Sequence, residues 1–374
     1  MKKILYITTV SRTINAFLVP HIEMLIREGC TVDCACCIDN EVDSRLINNG
    51  VNIFNISFTR NPLDVKNMKA FKQLIKIQEK NKYDIIHVHT PVAALYGRLL
   101  KVKFPRLKTI YTVHGFHFHK GAPILNWCIY YPIERIMANF TDSIVTMNSE
   151  DYERARKFNI KETYNTNGVG VNLALYHPDS FDKNEIRRKL YLKENEFIIL
   201  MIAEINKNKN HIQMIDAVEI LKKRGIKVNV LCAGDGPLFE DIRKHIENRG
   251  LDQSIQMLGF RTDIPELIAA CDIGILMSHR EGLPRNIMEL MACKKPVIGT
   301  NIRGIRDIIK NGQNGYIVEV GNFTETANKI QNLYENKELL NNMKINSFDS
   351  VQKYDIDKVV LNLKEFYVKR EGSI

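Results

Sequence analysis

The 374-residue sequence lacks the long apolar runs that membrane-spanning segments need. The longest candidate, residues 264–278, is interrupted by Glu266 and Asp272, whereas a bilayer span takes about 20 apolar residues. The apolar run at the N-terminus ends at Arg12 with no small-residue cleavage site behind it, so it predicts a buried strand and not a secretory signal. We therefore expect a cytoplasmic protein.

Several sequence signatures are also missing. There is no Walker phosphate loop, and no G-x-G-x-x-G follows the first predicted strand, which argues against kinases, NTPases and dinucleotide oxidoreductases. No RNP, KH or zinc-finger pattern is present, so we expect no nucleic-acid partner. Most of the eight cysteines lie in apolar runs. Cys34 and Cys37 form a C-x-x-C within a predicted strand, whereas the C-x-x-C of a redox motif lies at the start of a helix. We therefore predict buried reduced thiols.

Positive charge is concentrated in one part of the chain. Residues 60–120 include thirteen Lys or Arg and three Asp or Glu, so the segment's net charge of +10 equals that of the whole protein. Lysines recur at helical spacing between Lys66 and Lys80, as on a solvated helix face. The same charge would attract an anionic membrane or a diphosphate-linked lipid. The sequence leaves both interpretations open.

Short apolar runs alternate with amphipathic helical patterns, as in parallel α/β proteins. Strands are predicted at 3–10, 32–38, 51–56, 85–88, 109–113 and 143–146, and then at 197–202, 228–232, 255–258, 273–277, 296–299 and 316–318. We therefore predict an α/β fold with two Rossmann-like domains whose parallel sheets face a central cleft.

The predicted hinge between the domains is residues 163–180, where periodicity is lost and turn residues cluster. It places the first domain at 1–165 and the second at 166–354. The amphipathic stretch 355–370 predicts a final helix that can cap either domain, and we consider that residues 355–374 return to the first.

The segment from Ser278 to Thr300 has the strongest functional pattern. A strand ends before it, a turn follows at Gly282 and Pro284, and a helix starts near Arg285. Backbone N–H groups at such a helix start form an anion site. Ligands of open α/β sheets bind beyond the strand ends, where this loop lies.

Two glutamates flank this turn. Glu281 precedes it, and Glu289 follows eight residues later in the predicted helix. One carboxylate can therefore reach a ligand's sugar while the other reaches a ribose. Such a pair often arises by chance, but it is far more specific within the strand-turn-helix context.

Two other predicted strand ends share this rim. The first presents Lys207 and Lys209, and lysine at such a junction suits a phosphate, although a solvated lysine is the commoner case. The second has Gly234 and Gly236, which allow close backbone approach, followed by Pro237, which suits a first helical position. Each signal is weak by itself, but the three loops lie on one edge.

Histidines mark strand ends in the first half of the chain. His114 ends a strand, and His117 and His119 follow at a spacing that matches no usual zinc signature, so we predict no metal site. A histidine at a strand end suits positioning or proton transfer in a cleft. His87 and His89 fit a structural role and an acceptor-lining role equally.

Together these motifs resemble the retaining, GT-B-fold glycosyltransferases of glycosyltransferase family 4, especially bacterial members that build capsules, exopolysaccharides and O antigens. The resemblance covers nearly the whole chain and is densest at 198–315. Glu281 and Glu289 match the family's E-x7-E pattern. Lys209 matches the lysine that binds the donor diphosphate.

Three more positions extend the resemblance. Residues 234–237 match the G-x-G-P turn near the nucleotide base, and residues 259–261 match the segment that contacts uracil. His114, followed by Gly115, matches the N-domain histidine beside the donor sugar. The donor-binding residues that the resemblance implies are Lys209, Lys207, Gly234, Gly236, Arg261, Gly282, Leu283, Arg285, Asn286 and Glu289. Ser11, Arg12 and His117 are weaker candidates for the acceptor side.

The resemblance also implies how the reaction runs. A UDP-sugar binds mainly to the second domain and the acceptor to the first, with Glu289 on the ribose hydroxyls and Glu281 on the sugar hydroxyls. The acceptor hydroxyl attacks from the leaving-group face, with the departing phosphate as base and His114 orienting the sugar. Fixed charges stabilise the leaving diphosphate, so no metal or other cofactor is required.

Three positions depart from the family pattern. Glu204 replaces a common arginine, which leaves Lys207 or Arg285 to supply the charge. Residues 11–13 replace a glycine-rich loop after the first strand. Asp307 stands where a glutamate is usual, and the sequence assigns it no role.

We therefore expect a retaining glycosyltransferase that moves a hexose or N-acetylhexosamine from a UDP-sugar to a polyprenyl-diphosphate-linked saccharide in cell-surface polysaccharide biosynthesis. The basic first domain would dock peripherally at the inner face of the cell membrane. The alternatives are a nucleotide-sugar epimerase, a transferase with a soluble acceptor, and a non-catalytic protein that binds sugar nucleotides.

Overall fold

Both halves of the chain fold around a parallel β-sheet. In this computed structural model, which describes residues 1–62 and 64–370, the first unit consists of Met1–Gly170 and the helix that begins at Ile356. The second unit is Val171–Asp355. The predicted α/β class, with a Rossmann-like parallel sheet in each half, is confirmed.

The first unit has a seven-stranded sheet with the strand order 3-2-1-4-5-6-7. Its strands are β1 (Lys3–Val10), β2 (Thr31–Cys37), β3 (Ile53–Asn55), β4 (Ile85–His89), β5 (Lys108–Val113), β6 (Ser143–Thr146) and β7 (Glu162–Asn165). Central strands β1 and β4 are covered on both faces, which is why they read as nearly continuous apolar runs.

Helices cover both faces of this sheet. They are α1 (Ser11–Thr13), α2 (Val19–Arg27), α3 (Ser44–Asn48), α4 (Lys66–Asn81), α5 (Pro91–Lys103), α6 (Ile124–Met137) and α7 (Ser149–Ala155), with a π-helical stretch at Ile14–Leu18. Leu74 of α4 and Leu100 of α5 share one core cluster, against which Tyr131 of α6 packs. Leu25 of α2 and Leu46 of α3 belong to the core on the opposite face.

The second unit has a six-stranded sheet with the order 10-9-8-11-12-13. Its strands are β8 (Ile198–Ile202), β9 (Asn229–Ala233), β10 (Ile255–Gly259), β11 (Ile273–Leu276), β12 (Val297–Thr300) and β13 (Gly315–Val318). Its helices are α8 (Lys183–Lys189), α9 (His211–Lys223), α10 (Phe239–Asn248), α11 (Ile264–Ala270), α12 (Arg285–Ala292), α13 (Ile305–Ile308), α14 (Phe323–Glu335) and α15 (Lys337–Val351).

The last helix, α16 (Ile356–Arg370), packs on the first unit. Its Leu363, Phe366 and Tyr367 belong to that unit's core. The Tyr367 hydroxyl shares a hydrogen bond of 2.7 Å with His87 Nδ1. The backbone leaves the first unit at Gly170, where a Cβ would lie 2.8 Å from Ile356 Cα, so the outgoing and returning chains are in close contact.

Two sequence predictions are corrected. The predicted hinge at 163–180 overlaps the edge strand β7, which the polar sequence ETYN did not reveal. Pro237 precedes α10, which begins two residues later.

Cysteines and candidate membrane segments were also predicted from the sequence. All eight cysteines are unpaired, and six are buried as expected, whereas Cys37 is partly buried and Cys128 is exposed on α6. Across residues 1–62 and 64–370, every helix is too short or too polar to span a membrane.

A buried ion pair anchors α8 to the second sheet. Arg187 is 1% exposed, and its Nη2 donates to Asp272 Oδ2 at 2.8 Å. Burial would raise the pKa of Asp272, but Lys183, the Ile198 N–H and Arg187 outweigh it and hold the pKa below its usual value. Each charge is thus compensated by the other.

We predict that Asp272→Ala lowers the free energy of unfolding by about 3–5 kcal/mol, because it leaves Arg187 buried without its partner charge. Urea denaturation of the intact chain measures the change. The matched control is Asp252→Ala at an exposed position, for which we expect a change within about 0.5 kcal/mol. Equal effects of the two substitutions would contradict the role of the pair.

Candidate functional site

Strand order reverses between β8 and β11 in the second sheet. Ligands of open α/β sheets bind outside the carboxyl ends of the strands at such a reversal. The loop after β8 carries Lys207 and Lys209, and the loop after β11 carries Glu281. The topology therefore brings together two segments that the sequence singled out separately.

Lys209 and Glu281 form an ion pair at this edge. Lys209 Nζ lies 2.5 Å from Glu281 Oε1, and Ser278 Oγ donates to the same oxygen at 2.6 Å. Both charged side chains are largely covered, with 20% and 12% of their surfaces exposed. Because both bonds end on Oε1, the second oxygen, Oε2, can accept a bond from a ligand hydroxyl. Lys207 is exposed beside the pair.

Asparagines connect the two loops, although no sequence motif marked them as site residues. Asn208 Nδ2 donates to the carbonyl of Arg280 at 3.0 Å, and the N–H of His279 donates to the carbonyl of Asn208 at 2.8 Å. The Asn206 side chain accepts from the N–H of Lys209 at 3.1 Å. The repeated asparagines of N-K-N-K-N were the available signal, since Asn favours caps and turns.

Helix α12 begins at Arg285, as predicted, and presents Glu289 one turn later. Arg285 Nε lies 3.0 Å from Glu289 Oε1. Burial raises the pKa of Glu289 above its usual value, although Arg285 and a hydrogen bond with Tyr176 act in the opposite direction. Tyr176 had no sequence signal. Asn286 Nδ2 donates to the carbonyl of Ile202 at 2.6 Å, which ties α12 to the end of β8.

The two glycines of the G-x-G-P turn permit close backbone packing. A Cβ on Gly234 would lie 1.9 Å from the carbonyl oxygen of Ala203, and a Cβ on Gly236 would lie 2.5 Å from that of Ile205. The turn therefore packs directly on the backbone of the loop after β8. At the neighbouring strand end, Arg261 Nε donates to Asp263 Oδ1 at 2.8 Å.

The loop after β12 supports the turn at Gly282 and Leu283. Arg303 Nε donates to the carbonyl of Glu281 at 3.2 Å. A Cβ on Gly304 would lie 2.2 Å from the carbonyl oxygen of Gly282. Asp307, which received no role from the sequence, accepts from the N–H of Gly304 at 3.0 Å. The capping spacing G-x-x-D could have indicated this role.

In the first unit, the buried His87 and His89 lie in the last part of β4, and the partly buried His114 follows β5. His89 Nδ1 and His114 Nε2 share a hydrogen bond of 3.1 Å, and His87 Nε2 bonds to Thr112 Oγ1 at 2.7 Å. Burial, with a contribution from His21, lowers the pKa of His114 to about 4. His114 is therefore neutral near pH 7 and can donate or accept a hydrogen bond.

The weaker acceptor-side candidates are held by contacts within the first unit. Ser11 is fully buried, and its hydroxyl donates to the Asn40 carbonyl at 2.7 Å. Arg12 Nε pairs with Asp39 Oδ2 at 2.6 Å, and the His117 ring stacks on Tyr130. Within residues 1–62 and 64–370, no three His, Cys, Asp or Glu side chains are placed to hold a metal ion together.

Comparisons with protein families match most of the chain. Residues 182–349 match the model described as glycosyl transferases group 1, and residues 3–148 match the model described as glycosyl transferase 4-like. Among curated proteins, the chain is 36% identical over 346 residues to "Putative glycosyltransferase EpsD" of Bacillus subtilis (strain 168), an alignment that covers 90% of this chain and 89% of that one.

A second relative and a solved structure extend these similarities. The chain is 29% identical over 320 residues to the UDP-Gal:alpha-D-GlcNAc-diphosphoundecaprenol alpha-1,3-galactosyltransferase of Escherichia coli. That alignment covers 83% of this chain and 81% of the relative. The crystal structure of Anabaena HepE with UDP and glucose superposes with a TM-score of 0.82 at 20% identity, over 99% of this chain and 100% of that one. The fold is therefore shared.

Because histidines are buried in this protein, we expect its free energy of unfolding to depend on pH. His21 is 7% exposed, and burial lowers its pKa to about 4 despite a backbone hydrogen bond to Val169. Since the folded-state pKa lies below the unfolded value of about 6.5, the stabilisation is complete above pH 6.5 and is lost as the pH falls toward 4.

We predict that His21 alone lowers the free energy of unfolding by about 2 kcal/mol between pH 7.5 and pH 5. Urea denaturation at both pH values tests this, with His21→Gln expected to show a smaller decrease. His177→Gln, at a side chain that is 45% exposed, should retain the wild-type decrease. The same decrease in all three proteins would show that His21 does not carry the effect.

Proposed function

Because this chain belongs to the glycosyltransferases of the family 4-like, GT-B type, we propose that it is a retaining enzyme that transfers a sugar from a UDP-sugar to a lipid-linked saccharide. The observation that carries this proposal is the pairing of Lys209 Nζ with Glu281 Oε1 where strand order reverses. This pair offers a cation for a diphosphate next to a carboxylate for a sugar.

The donor diphosphate would bind at the start of α12. Backbone N–H groups at a helix N-terminus favour anions, and here the turn at Gly282 and Leu283 leads directly into Arg285. Lys209 would contribute a charge-assisted hydrogen bond. Lys207, exposed on the same loop, would supply the positive charge that is lost because Glu204 stands in place of the common arginine.

Glutamates would orient the two sugars of the donor. Ser278 and Lys209 hold Oε1 of Glu281, and its Oε2 would accept from a hydroxyl of the transferred sugar. Glu289, which is held by Arg285, would accept from the ribose. The G-x-G-P turn at 234–237 and Arg261 would border the base. A galactosyltransferase relative that uses UDP-Gal supports the choice of a UDP-sugar.

The proposed reaction exchanges one bond for another. The bond between the anomeric carbon and the diphosphate oxygen breaks, and a bond forms between that carbon and the acceptor oxygen on the same face. The acceptor's proton passes to the departing diphosphate. Lys209 and the α12 N-terminus stabilise the negative charge of the leaving group, so a metal ion is not needed in this proposal. His114 would hydrogen-bond the transferred sugar.

A lipid-linked acceptor is proposed from two observations. The Escherichia coli relative is named for a diphosphoundecaprenol acceptor, and the first unit concentrates basic residues in 60–120. A polyprenyl-diphosphate-linked saccharide is both anionic and membrane-bound, so a basic unit that docks peripherally at the inner membrane face would attract it.

We predict that UDP and one UDP-sugar raise the thermal unfolding temperature in the presence of EDTA, whereas ADP and GDP do not. Binding to the native state adds about 2.7 kcal/mol of stability at a hundredfold excess over Kd. Lys209→Ala should reduce the shift, and Lys227→Ala, an exposed substitution on the second unit, should not. A shift that requires a divalent metal would contradict metal independence, and no shift with any nucleotide would contradict the donor site.

We predict that Glu281→Gln lowers kcat for sugar transfer by about 100-fold while stabilisation by UDP is retained, because the carboxylate contacts the sugar and not the nucleotide. UDP release in the presence of a lipid-linked acceptor measures turnover. Glu247→Gln, on the exposed face of α10, is the matched control. A binding protein without activity would take up UDP but release none from a UDP-sugar.

A further inference from the structure

Helix α6 of the first unit has an apolar face that the described protein leaves uncovered. Its exposed aliphatic side chains follow one another along the helix, and Ile124 and Ile136 are 78% and 61% exposed at its two ends. The exposed apolar residues of α6 are Ile124, Leu125, Cys128, Ile129, Pro132, Ile133 and Ile136. At a spacing of three and four residues, they form one continuous stripe.

The inner face of α6 is already used for packing. The Tyr131 ring lies 5.3 Å from that of Phe118, and Trp127 lies 5.7 Å from Phe118. Asn126 Nδ2 donates to the carbonyl of His117 at 3.0 Å. A helix that is apolar on all sides is normally buried. The exposed apolar stripe of α6 therefore has the composition of an interaction surface.

Exposed basic residues lie on α6 itself and on α4, which packs on the same side of the sheet. Arg135 is the exposed charged residue of α6, whereas Glu134 faces inward and pairs with the buried Arg98 at 2.8 Å. Helices α4, α5 and α6 pack against the same core cluster, and α4 exposes lysines on its outer side. These lysines are Lys66, Lys69, Lys72, Lys76 and Lys80.

We propose that the outer face of α6 inserts into the interface of an anionic lipid bilayer, with the lysines of α4 resting on its headgroups. The proposal rests on the lipid-linked acceptor of the proposed function and names the surface that meets the membrane. An interfacial helix combines an apolar face with nearby cations in this way. Each Lys or Arg close to an anionic surface adds to the attraction.

A second copy of this chain fits the stripe less well. A stable protein interface uses about 20–30 residues from each partner, whereas the apolar face of α6 contains seven. Two copies that meet along it would also bring the basic surfaces of two first units toward each other. An anionic bilayer would bury the apolar stripe in its interface and attract the basic residues to its headgroups.

Helix α6 begins close to the edge of the sheet that carries the site histidines. The helix follows the loop that leaves β5 at His114, and its first turn is tied to that loop through His117. Ile124 is therefore near the carboxyl edge of the sheet, where His89 and His114 lie. Insertion of α6 would bring that edge close to the bilayer that carries a lipid-linked acceptor.

Sedimentation with lipid vesicles tests the proposal. We expect the full chain to bind phosphatidylglycerol vesicles and to bind pure phosphatidylcholine vesicles much more weakly. Substituting Ile129→Ser and Ile133→Ser together should weaken phosphatidylglycerol binding by about tenfold or more, since burial of apolar surface drives insertion. The matched control Ile47→Ser removes an exposed isoleucine from α3 and should bind as the wild type does. Equal binding by the double variant and the wild type would overturn the proposal.

The exposed thiol on the stripe provides a test that needs no substitution. An environment-sensitive fluorophore attached to Cys128 should shift its emission to the blue with phosphatidylglycerol vesicles and should be quenched by brominated acyl chains. Binding without a shift would place α6 outside the bilayer and overturn the proposal. A wild-type dimer in light scattering that the double variant converts to a monomer would instead make this face an interface between copies.

UDP-induced thermal stabilisation separates this inference from the proposed function. The double variant should keep the wild-type shift with UDP, because Lys209 and Glu281 are in the second unit. Vesicle binding through α6 without any UDP shift would refute the donor site and leave the membrane surface standing. A UDP shift with vesicle binding independent of α6 would refute the membrane surface alone.

Discussion

The candidate donor site depends on a constraint of parallel sheets: every strand ends at the same edge. In the second unit, β8 and β11 are neighbours whose connections run in opposite directions across the sheet. The loops that leave them must therefore diverge and leave a crevice between them. Lys209 and Glu281 meet there. Their partial burial keeps both charges fixed and strengthens their interaction relative to a fully solvated pair.

Close backbone packing around this crevice leaves no space for a side chain at three glycine positions. Gly234 and Gly236 lie against the carbonyls of Ala203 and Ile205, and Gly304 lies against that of Gly282. Any side chain at these positions would push the supporting backbone away from the loops that carry the charged residues. The arrangement is stiff because each loop packs on the next, which suits a site that works by preformed electrostatics.

Most of the fold and part of the site could be predicted from the sequence. Buried parallel strands are apolar along their whole length, so β1 and β6 were predicted with the bounds that the structure shows. Strand β7 was missed because an edge strand of four polar residues has no such pattern. The strand-end rule brought Lys209 and Glu281 to one rim, and the structure pairs them. Tyr176 meets Glu289 only through tertiary folding, and no local motif marks it. The roles of Glu281, Glu289 and His114 toward a ligand stay predictions.

The return of α16 to the first unit bears on how the protein forms during synthesis. The second unit is one continuous stretch, Val171–Asp355, so it can fold as soon as it has left the ribosome. The first unit emerges earlier but must wait for α16, whose Tyr367 fills its core and supplies the hydrogen-bond partner of the buried His87. The part of the chain that is made first is thus completed last. Until then the part of that core which Leu363, Phe366 and Tyr367 cover stays in contact with water.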